Sequence, residues 1–324
     1  MPRQARLDAP GTLHHVILRG IERGTIVADA EDRAAFLGRL GDVATATGTT
    51  LYAWALLPNH AHLLLRSGPA GLPQVMRRLL TGYAQAYNRR HRRVGHLFQH
   101  RYKSIVVAED PYFRELVRYI HLHPLRARLV PDLPHLDRYP WCGHAGIQRR
   151  QHPPWQDRAA VRSWFGRTER VALQAYRAFL QEGIPQGRRP ELVGGGLVRS
   201  LGGWAEVRAI RQRADRVLAD ERILGSGPFV ERMLAAGDAR QQTQHARGHR
   251  LRQAQALIRQ QCRRGQVGLE ELRLGSRRRR IAAVRARLAV DLVTRLGLSL
   301  AETARQLGVS TSGIAKAVAR AERP

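Results

Sequence analysis

The sequence predicts an α+β fold, and three observations in the first 125 residues support this prediction. Short apolar runs typical of strands occur at residues 11–19, 49–57, 61–67 and 104–107. Helix-like periodicity separates these runs at residues 30–47 and 72–93. The resulting order of strand, helix, strand, strand, helix, strand is that of the split βαβ arrangement, a ferredoxin-like βαββαβ fold.

Local signals indicate where these elements begin and end. A Pro-Gly pair precedes the first strand, and Glu31 and Asp32 lie in the first turn of the first helix, where negative charge is favourable. The dipeptide Pro58-Asn59 predicts a turn between the second and third strands. One added helix follows the fourth strand and ends before Pro124.

Composition divides the 324 residues into three predicted parts. Residues 1–135 hold the α+β domain. Residues 136–190 contain a connector rich in proline and tryptophan, followed by helical periodicity over 158–183. A glycine-rich stretch at 187–203 is predicted to be a linker near the start of the third part, residues 191–324. This part is predicted to be a helical DNA-binding region, with residues 204–324 helical throughout.

The net charge restricts the kind of partner. The chain has 55 basic and 26 acidic residues, a formal charge of +29. Such a field attracts polyanions, so nucleic acid is the expected partner and an anionic membrane surface the alternative. Only Lys103 and Lys316 among the basic residues are lysine. Arginine forks match phosphate oxygens, although GC-rich coding sequence also favours arginine.

One basic stretch is predicted to follow a DNA strand. No acidic residue occurs between Asp42 and Glu109. The candidate DNA-binding residues of this stretch are Arg89, Arg90, Arg92, Arg93, Arg101 and Lys103. The interspersed aromatic residues Tyr83, Tyr87, Phe98 and Tyr102 suit base stacking. The alternative is an ordinary solvated helix.

Other sequence features exclude several classes of protein. The two cysteines, Cys142 and Cys262, have no zinc-ligand spacing. No secretory signal or window of about 20 apolar residues is present, so we expect a cytoplasmic protein without a membrane partner.

A pair of histidines is the first candidate for chemistry. His60 and His62 lie on one predicted strand, and alternation places both side chains on the same face. Two imidazoles so placed can bind one divalent metal ion, although a purely structural pair is the alternative.

A tyrosine and a third histidine form the second candidate. Tyr119 and His123 are four residues apart, which on a helix places a phenol and an imidazole on one face. A metal ion polarises a phosphate, and an adjacent tyrosine can attack phosphorus to form a covalent phosphotyrosine. Alternatively, Tyr119 is half-buried and His123 offsets the helix dipole.

The sequence resembles the REP-associated tyrosine transposases of the single-tyrosine HUH transposase family. The similar segments are GTLHHVILRG at 11–20, WALLPNHAHLLL at 54–65, GHLFQHRYKS at 95–104 and YIHLHPLRARLV at 119–130. The resemblance implies an HUH nuclease core that acts on single-stranded DNA, often at hairpin-bearing element ends, with Mg²⁺ or Mn²⁺. It also implies His60 and His62 as metal ligands, Tyr119 as the nucleophile that forms a 5′-phosphotyrosine, and a possible homodimer.

The sequence departs from the family pattern at two positions. The family has asparagine where His123 stands, and that position supplies the third metal ligand; histidine favours Mn²⁺ or other transition metals over Mg²⁺. The family has glycine where His100 stands, and a side chain there can crowd the DNA.

The C-terminal part predicts a helix-turn-helix at 299–320. Ser299 and Glu302 form a plausible capping box, and Gly308 permits the turn. The residues expected to face duplex DNA are Ser310, Thr311, Ser312 and Lys316. A plain helical hairpin is the alternative.

An arginine run lies upstream of this predicted motif. We expect phosphate contacts from Arg277, Arg278, Arg279 and Arg280, with a solvated basic face as the alternative.

These observations favour a transposase that cleaves and rejoins single-stranded DNA. A DNA-binding regulator derived from such an enzyme is the second hypothesis, because His100 and His123 depart from the family pattern. A metal-dependent phosphohydrolase or ribonuclease that forms no covalent adduct is the third.

Overall fold

A computed structural model describes residues 7–99, 101–149, 152–187, 189, 192, 220–276 and 278–321, with the side chains of 239–247 excepted. The chain divides into two compact units, Met1–Gly237 and Asp238–Pro324. The predicted boundary at 191 and the glycines at 194–196 lie outside the described residues, as do His100 and Arg277.

The first unit is built on a five-stranded mixed sheet. Its strands are β1 (Leu13–Arg19), β2 (Thr50–Leu56), β3 (His60–Arg66), β4 (Lys103–Val107) and β5 (Ile223–Leu224). The order is β2-β3-β1-β4-β5. β1 pairs antiparallel with β3 and β4, β2 pairs antiparallel with β3, and β5 runs parallel to β4. The α+β class and the four N-terminal strands are therefore as predicted.

The fifth strand corrects the expectation that residues 204–324 are helical throughout. Ile223 and Leu224 are fully buried, and β5 pairs with Val106 and Val107 of β4. A strand of two residues is too short to show an alternating pattern, so only the tertiary pairing reveals it.

Helices of the first unit cover both faces of this sheet. They are α1 (Ala30–Thr47), α2 (Leu72–Arg90), α3 (Glu109–His121), α4 (His123–Arg126), α5 (Leu133–Leu136), α6 (Gly143–Gln148), α7 (Arg158–Ser163) and α8 (Glu169–Gly183), with a 3₁₀ turn at Ile21–Arg23. Leu63 and Leu65 pack in the core that includes residues of α1 and α2, whereas Leu64 packs in the core that includes residues of α3 and α8. The two faces of β3 therefore serve different layers.

The aromatic residues of the acid-free stretch belong to the first of these cores. Tyr83, Tyr87, Phe98 and Tyr102 are all buried there. The Tyr83 hydroxyl donates a hydrogen bond to the carbonyl of Ile26 at 2.7 Å. The expectation that these rings stack on DNA bases is therefore wrong, because all four are buried in this core. Tyr83 and Tyr87 pack α2 against the sheet.

The remaining helices are α9 (Gly227–Gly265), α10 (Leu269–Arg273), α11 (Arg279–Val290), α12 (Leu300–Leu307) and α13 (Thr311–Ala321), with a π-helical turn at Asp291–Arg295. Residues of α10 to α13 share one apolar core with the C-terminal part of α9. The helical character predicted for this region is thus confirmed for its described residues from α9 onward.

Two short helices joined by a tight turn occupy the predicted helix-turn-helix. Ser299 Oγ accepts a hydrogen bond from the Glu302 amide at 3.2 Å, and Gly308 adopts a left-handed φ of 67°. Leu307 and Ile314 are buried between the helices. The local geometry follows the prediction, and its role in DNA binding remains a proposal.

Among the described residues, none of the helices combines the length and the apolar character needed to cross a membrane.

Candidate active site

The candidate site forms on the face of the sheet that α3 covers. His60, His62 and Leu64 alternate onto that face of β3, and Leu64 packs in the same core as residues of α3. His15 of β1 lies on the same face, because Leu13 and Ile17 pack in that core too. Strand register pairs His15 with Leu64 and Ile17 with His62, so His15 lies diagonal to His62 on this face.

Three histidines converge here. The Nε2 atoms of His60 and His123 are 2.9 Å apart, and the ring centroids of His62 and His123 are 4.4 Å apart. One nitrogen from each of the three residues lies within 4.8 Å of the others. The predicted trio is therefore brought together, although His123 begins α4 instead of ending α3.

The geometry and charge of this trio fit a divalent cation. Imidazole nitrogens bind a metal at about 2.1 Å, so two that share an ion are about 3 Å apart. Burial, aided by the charge of Arg19, lowers the pKa of His60 to about 4. Burial, and then neighbouring His123 and His15, hold the pKa of His62 well below its usual value. Neutral imidazoles are the form that binds a metal.

Two of these three histidines, His60 and His62, have a hydrogen-bonding partner at Nδ1 that can orient the ring. His60 Nδ1 lies 2.6 Å from Asn59 Oδ1, and His62 Nδ1 lies 2.9 Å from His15 Nε2. If each Nδ1 carries the hydrogen, each Nε2 retains its lone pair for a metal. His15 was not predicted from the sequence, although the alternation of β1 could have indicated its face.

Tyr119 lies beside the histidines and is 8% exposed. Its ring centroid is 5.5 Å from that of His123 and 5.7 Å from that of His62. The Arg126 guanidinium carbon lies 5.5 Å from the same centroid. A phenol, three imidazoles and a guanidinium therefore share one region of the first unit.

A buried polar chain supports α3 on its other side. The Tyr176 hydroxyl is 2.7 Å from Nδ1 of both His121 and His144, and His144 Nε2 is 2.8 Å from Asp137 Oδ1. Burial lowers the pKa of His121 and of His144, so both rings are neutral near pH 7. A neutral His144 that donates to Asp137 must accept from Tyr176, which in turn accepts from His121. No sequence spacing indicated this chain, since α8 supplies Tyr176.

The candidate DNA-binding side chains fall into two groups. Exposed residues of the first unit are Arg89, Arg92, Arg93, Arg101 and Lys103; those of the second are Arg278, Arg279, Arg280, Ser310, Thr311, Ser312 and Lys316. Arg278 pairs with Glu271 and Arg280 donates to Gln266. Ser310 Oγ accepts from the Gly313 amide and so caps α13.

Arg90 differs from its neighbours because it is engaged within the chain. It contacts the carboxylates of Asp29 at 2.7 Å, Glu31 at 2.9 Å and Asp32 at 2.7 Å, and Asp32 is 3% exposed. Arg66 similarly pairs with Glu109 at 2.5 Å. The stretch that lacks acidic residues in sequence is therefore partly neutralised in space.

This pairing predicts different consequences for two adjacent arginines. We expect Arg90→Gln to lower Tm, because it leaves the buried Asp32 carboxylate without its guanidinium partner. We expect Arg89→Gln to leave Tm unchanged, because Arg89 is exposed. Thermal unfolding followed by circular dichroism measures both variants.

The affinity for single-stranded DNA is a second measurement on the Arg89→Gln and Arg90→Gln variants. If Arg89 contacts a phosphate, Arg89→Gln reduces the slope of log affinity against log salt by about 0.7. An equal Tm loss in the two variants would contradict the assigned difference.

Part of the first unit is similar to a known family of proteins. The family described as "Transposase IS200 like" matches residues 11–123. The matched segment spans about a third of the chain. It contains His60, His62, Tyr119 and His123, and the family resemblance predicted from the sequence is confirmed at this level.

Two solved structures are similar to part of this chain. One is a REP-associated tyrosine transposase bound to a REP hairpin, with 16% identity, a TM-score of 0.40 and coverage of 46% of this chain and 87% of that one. The other is a candidate transposase from Deinococcus radiodurans R1, with 22% identity, a TM-score of 0.27 and coverage of 36% and 95%. No curated protein matches significantly.

Proposed function

We propose that this chain cleaves and rejoins single-stranded DNA at the ends of a mobile element, through a 5′-phosphotyrosine on Tyr119. The observation that carries the proposal is the position of the Tyr119 ring, within 5.7 Å of the rings of His62 and His123 in an IS200-like domain. The match of residues 11–123 to the IS200-like family supports the assignment of transposase activity. The side chains support covalent chemistry.

The reaction exchanges one phosphate ester for another. The Tyr119 oxygen forms a bond to phosphorus and loses its proton, while the bond from phosphorus to the 3′ oxygen breaks and that oxygen gains a proton. Because the phosphotyrosine retains the energy of the diester, a 3′ hydroxyl of another strand can reverse the step. Rejoining therefore needs no external energy source.

His60, His62 and His123 would hold a divalent cation in this reaction. A bound cation supplies Lewis acidity that stabilises charge on the phosphate oxygens. Three imidazoles form a softer ligand set than two imidazoles and an amide, so we expect Mn²⁺ to be preferred to Mg²⁺.

The second unit would recognise duplex or element-end DNA. Ser310, Thr311, Ser312 and Lys316 are exposed near the start and on the surface of α13, as a recognition helix requires. The exposed arginines at 278–280 would contact phosphates.

A covalent-trapping experiment tests the proposal. The full chain is incubated with hairpin-bearing single-stranded oligonucleotides and Mn²⁺, and a denaturing gel then detects a protein–DNA adduct. We expect Tyr119→Phe to abolish the adduct, because phenylalanine has no nucleophilic oxygen. Tyr112→Phe is the matched control, since it removes a hydroxyl from the same helix α3.

The other functions predict different outcomes. Cleavage without an adduct would indicate a phosphohydrolase. DNA binding without cleavage would indicate a regulator, which the replacement of asparagine by His123 favours. An adduct that persists in Tyr119→Phe would overturn the choice of nucleophile.

A further inference from the structure

Arg126 has hydrogen-bonding capacity that the described residues do not use. Its Nη2 donates to the carbonyl of Gly183 at 3.2 Å. Its Nε and Nη1 are buried and have no acceptor among the residues that the structure describes. Buried donors without an acceptor cost free energy, so such a group in a folded protein needs a reason.

Neighbouring arginines do not share this feature. Arg118 donates to both oxygens of Glu115, at 2.9 and 2.6 Å, and its guanidinium lies 4.0 Å from the Phe179 ring centroid. Arg189 donates to the same carboxylate at 3.0 Å. Glu115 is thus already engaged by two cations, and Arg126 brings additional positive charge to this region.

The position of Arg126 indicates what its free donors could bind. Its guanidinium carbon is 5.5 Å from the centroid of the Tyr119 ring. Any phosphate that becomes bonded to the Tyr119 oxygen is necessarily close to that ring. Each free N–H of a guanidinium can donate a charge-assisted hydrogen bond to a phosphate oxygen.

We propose that Arg126 is a catalytic residue that donates hydrogen bonds to non-bridging oxygens of the phosphate attacked by Tyr119. The proposal rests on the proposed function. Arg126 would stabilise the charge on those oxygens as the bond to Tyr119 forms, and would then hold the phosphotyrosine. This role is separate from that of the three histidines, since it uses different donors and requires no metal.

The test combines variants with an altered substrate. Single-turnover adduct formation is measured for the unmodified chain, Arg126→Gln and Arg126→Lys, on an ordinary oligonucleotide and on one with a methylphosphonate at the cleavage position. We expect Arg126→Gln to slow adduct formation about 10²–10³-fold on the ordinary substrate, the usual cost of losing one such donor. On the methylphosphonate, which lacks one non-bridging oxygen, we expect the difference to fall below about tenfold.

Controls separate this role from a structural one. Arg128→Gln removes an exposed arginine two residues away and should leave the rate unchanged. If Arg126→Gln does not fold, Arg126→Lys still tests the proposal, because it retains the charge and loses the guanidinium N–H donors. We then expect an intermediate loss of rate with unchanged Tm.

The possible failures are distinguishable. An unmodified chain that forms no adduct overturns the proposed function and this inference with it. An adduct that forms equally fast in the unmodified chain and in Arg126→Gln overturns only the inference. Equal slowing on both substrates also overturns it, because the loss would then not involve the phosphate oxygens.

Discussion

Replacement of His62 by alanine should abolish both metal binding and adduct formation. His62 is 3% exposed and lies beside both His60 and His123, with ring centroids 5.3 and 4.4 Å away. No water-exposed side chain can easily take its place at such a buried position. We expect Mn²⁺ affinity to fall at least about 100-fold. Isothermal titration calorimetry of the purified chain with Mn²⁺ measures this affinity independently of DNA cleavage.

Replacement of His15 should lower Mn²⁺ affinity less than replacement of His62. Its ring stacks on that of His62, with centroids 5.2 Å apart, and its Nε2 lies 2.9 Å from His62 Nδ1. His15→Phe keeps a planar ring and removes that nitrogen, so we expect Mn²⁺ affinity to fall about 10–100-fold. His96→Ala, at an exposed position, is the control. Wild-type affinity in His62→Ala would contradict the assigned metal site.

Replacement of Gly308 by alanine should strongly destabilise the second unit. Gly308 has a φ of 67°, which costs an alanine about 1–2 kcal/mol, and an added Cβ would overlap the carbonyl oxygen of Arg273. The backbone must therefore shift at the turn between α12 and α13. We expect a loss of about 2–4 kcal/mol, measured by urea unfolding and by amide hydrogen exchange in these helices.

Gly313 is the matched control for Gly308, five residues later. It lies within α13, where only the Ser310 hydroxyl would approach an added Cβ, at 3.3 Å. Gly313→Ala should stabilise the unit by about 0.5–1 kcal/mol, because alanine loses less conformational entropy in a helix. Destabilisation of equal size by both substitutions would contradict the turn geometry described for Gly308.

The basic stretch lacks acidic residues in sequence but has acidic neighbours in the folded chain. Asp29, Glu31 and Asp32 precede the acid-free residues in sequence, yet they surround Arg90 at the end of α2. α1 and α2 pack in one core, which brings residues almost 60 positions apart into contact. Counting charges in a window detected the excess of arginine and missed the pairing, because pairing depends on helix packing.

The residues of the candidate metal site were more predictable from the sequence than the residues that contact them. His60 and His62 were predictable because strand alternation is local. Tyr119 and His123 were predictable as neighbours because helical spacing is also local. His15, Arg126 and Tyr176 were not found, since each comes from an element whose position depends on sheet order or helix docking.

The sequence by itself determined the α+β class, the first four strands, the helical C-terminal region and the histidine–tyrosine constellation. These features depend on periodicity, turn residues and spacing within single elements. All of these signals come from residues that are close together in sequence. Only the tertiary structure decided that β5 joins the sheet, that the tyrosines of α2 are core residues, that Arg90 is paired and that Arg126 has unused donors beside Tyr119. The first three depend on contacts between residues far apart in sequence, which form only when the chain packs. Arg126 is seven residues from Tyr119, but its other contact, to Gly183, is again made only in the folded chain.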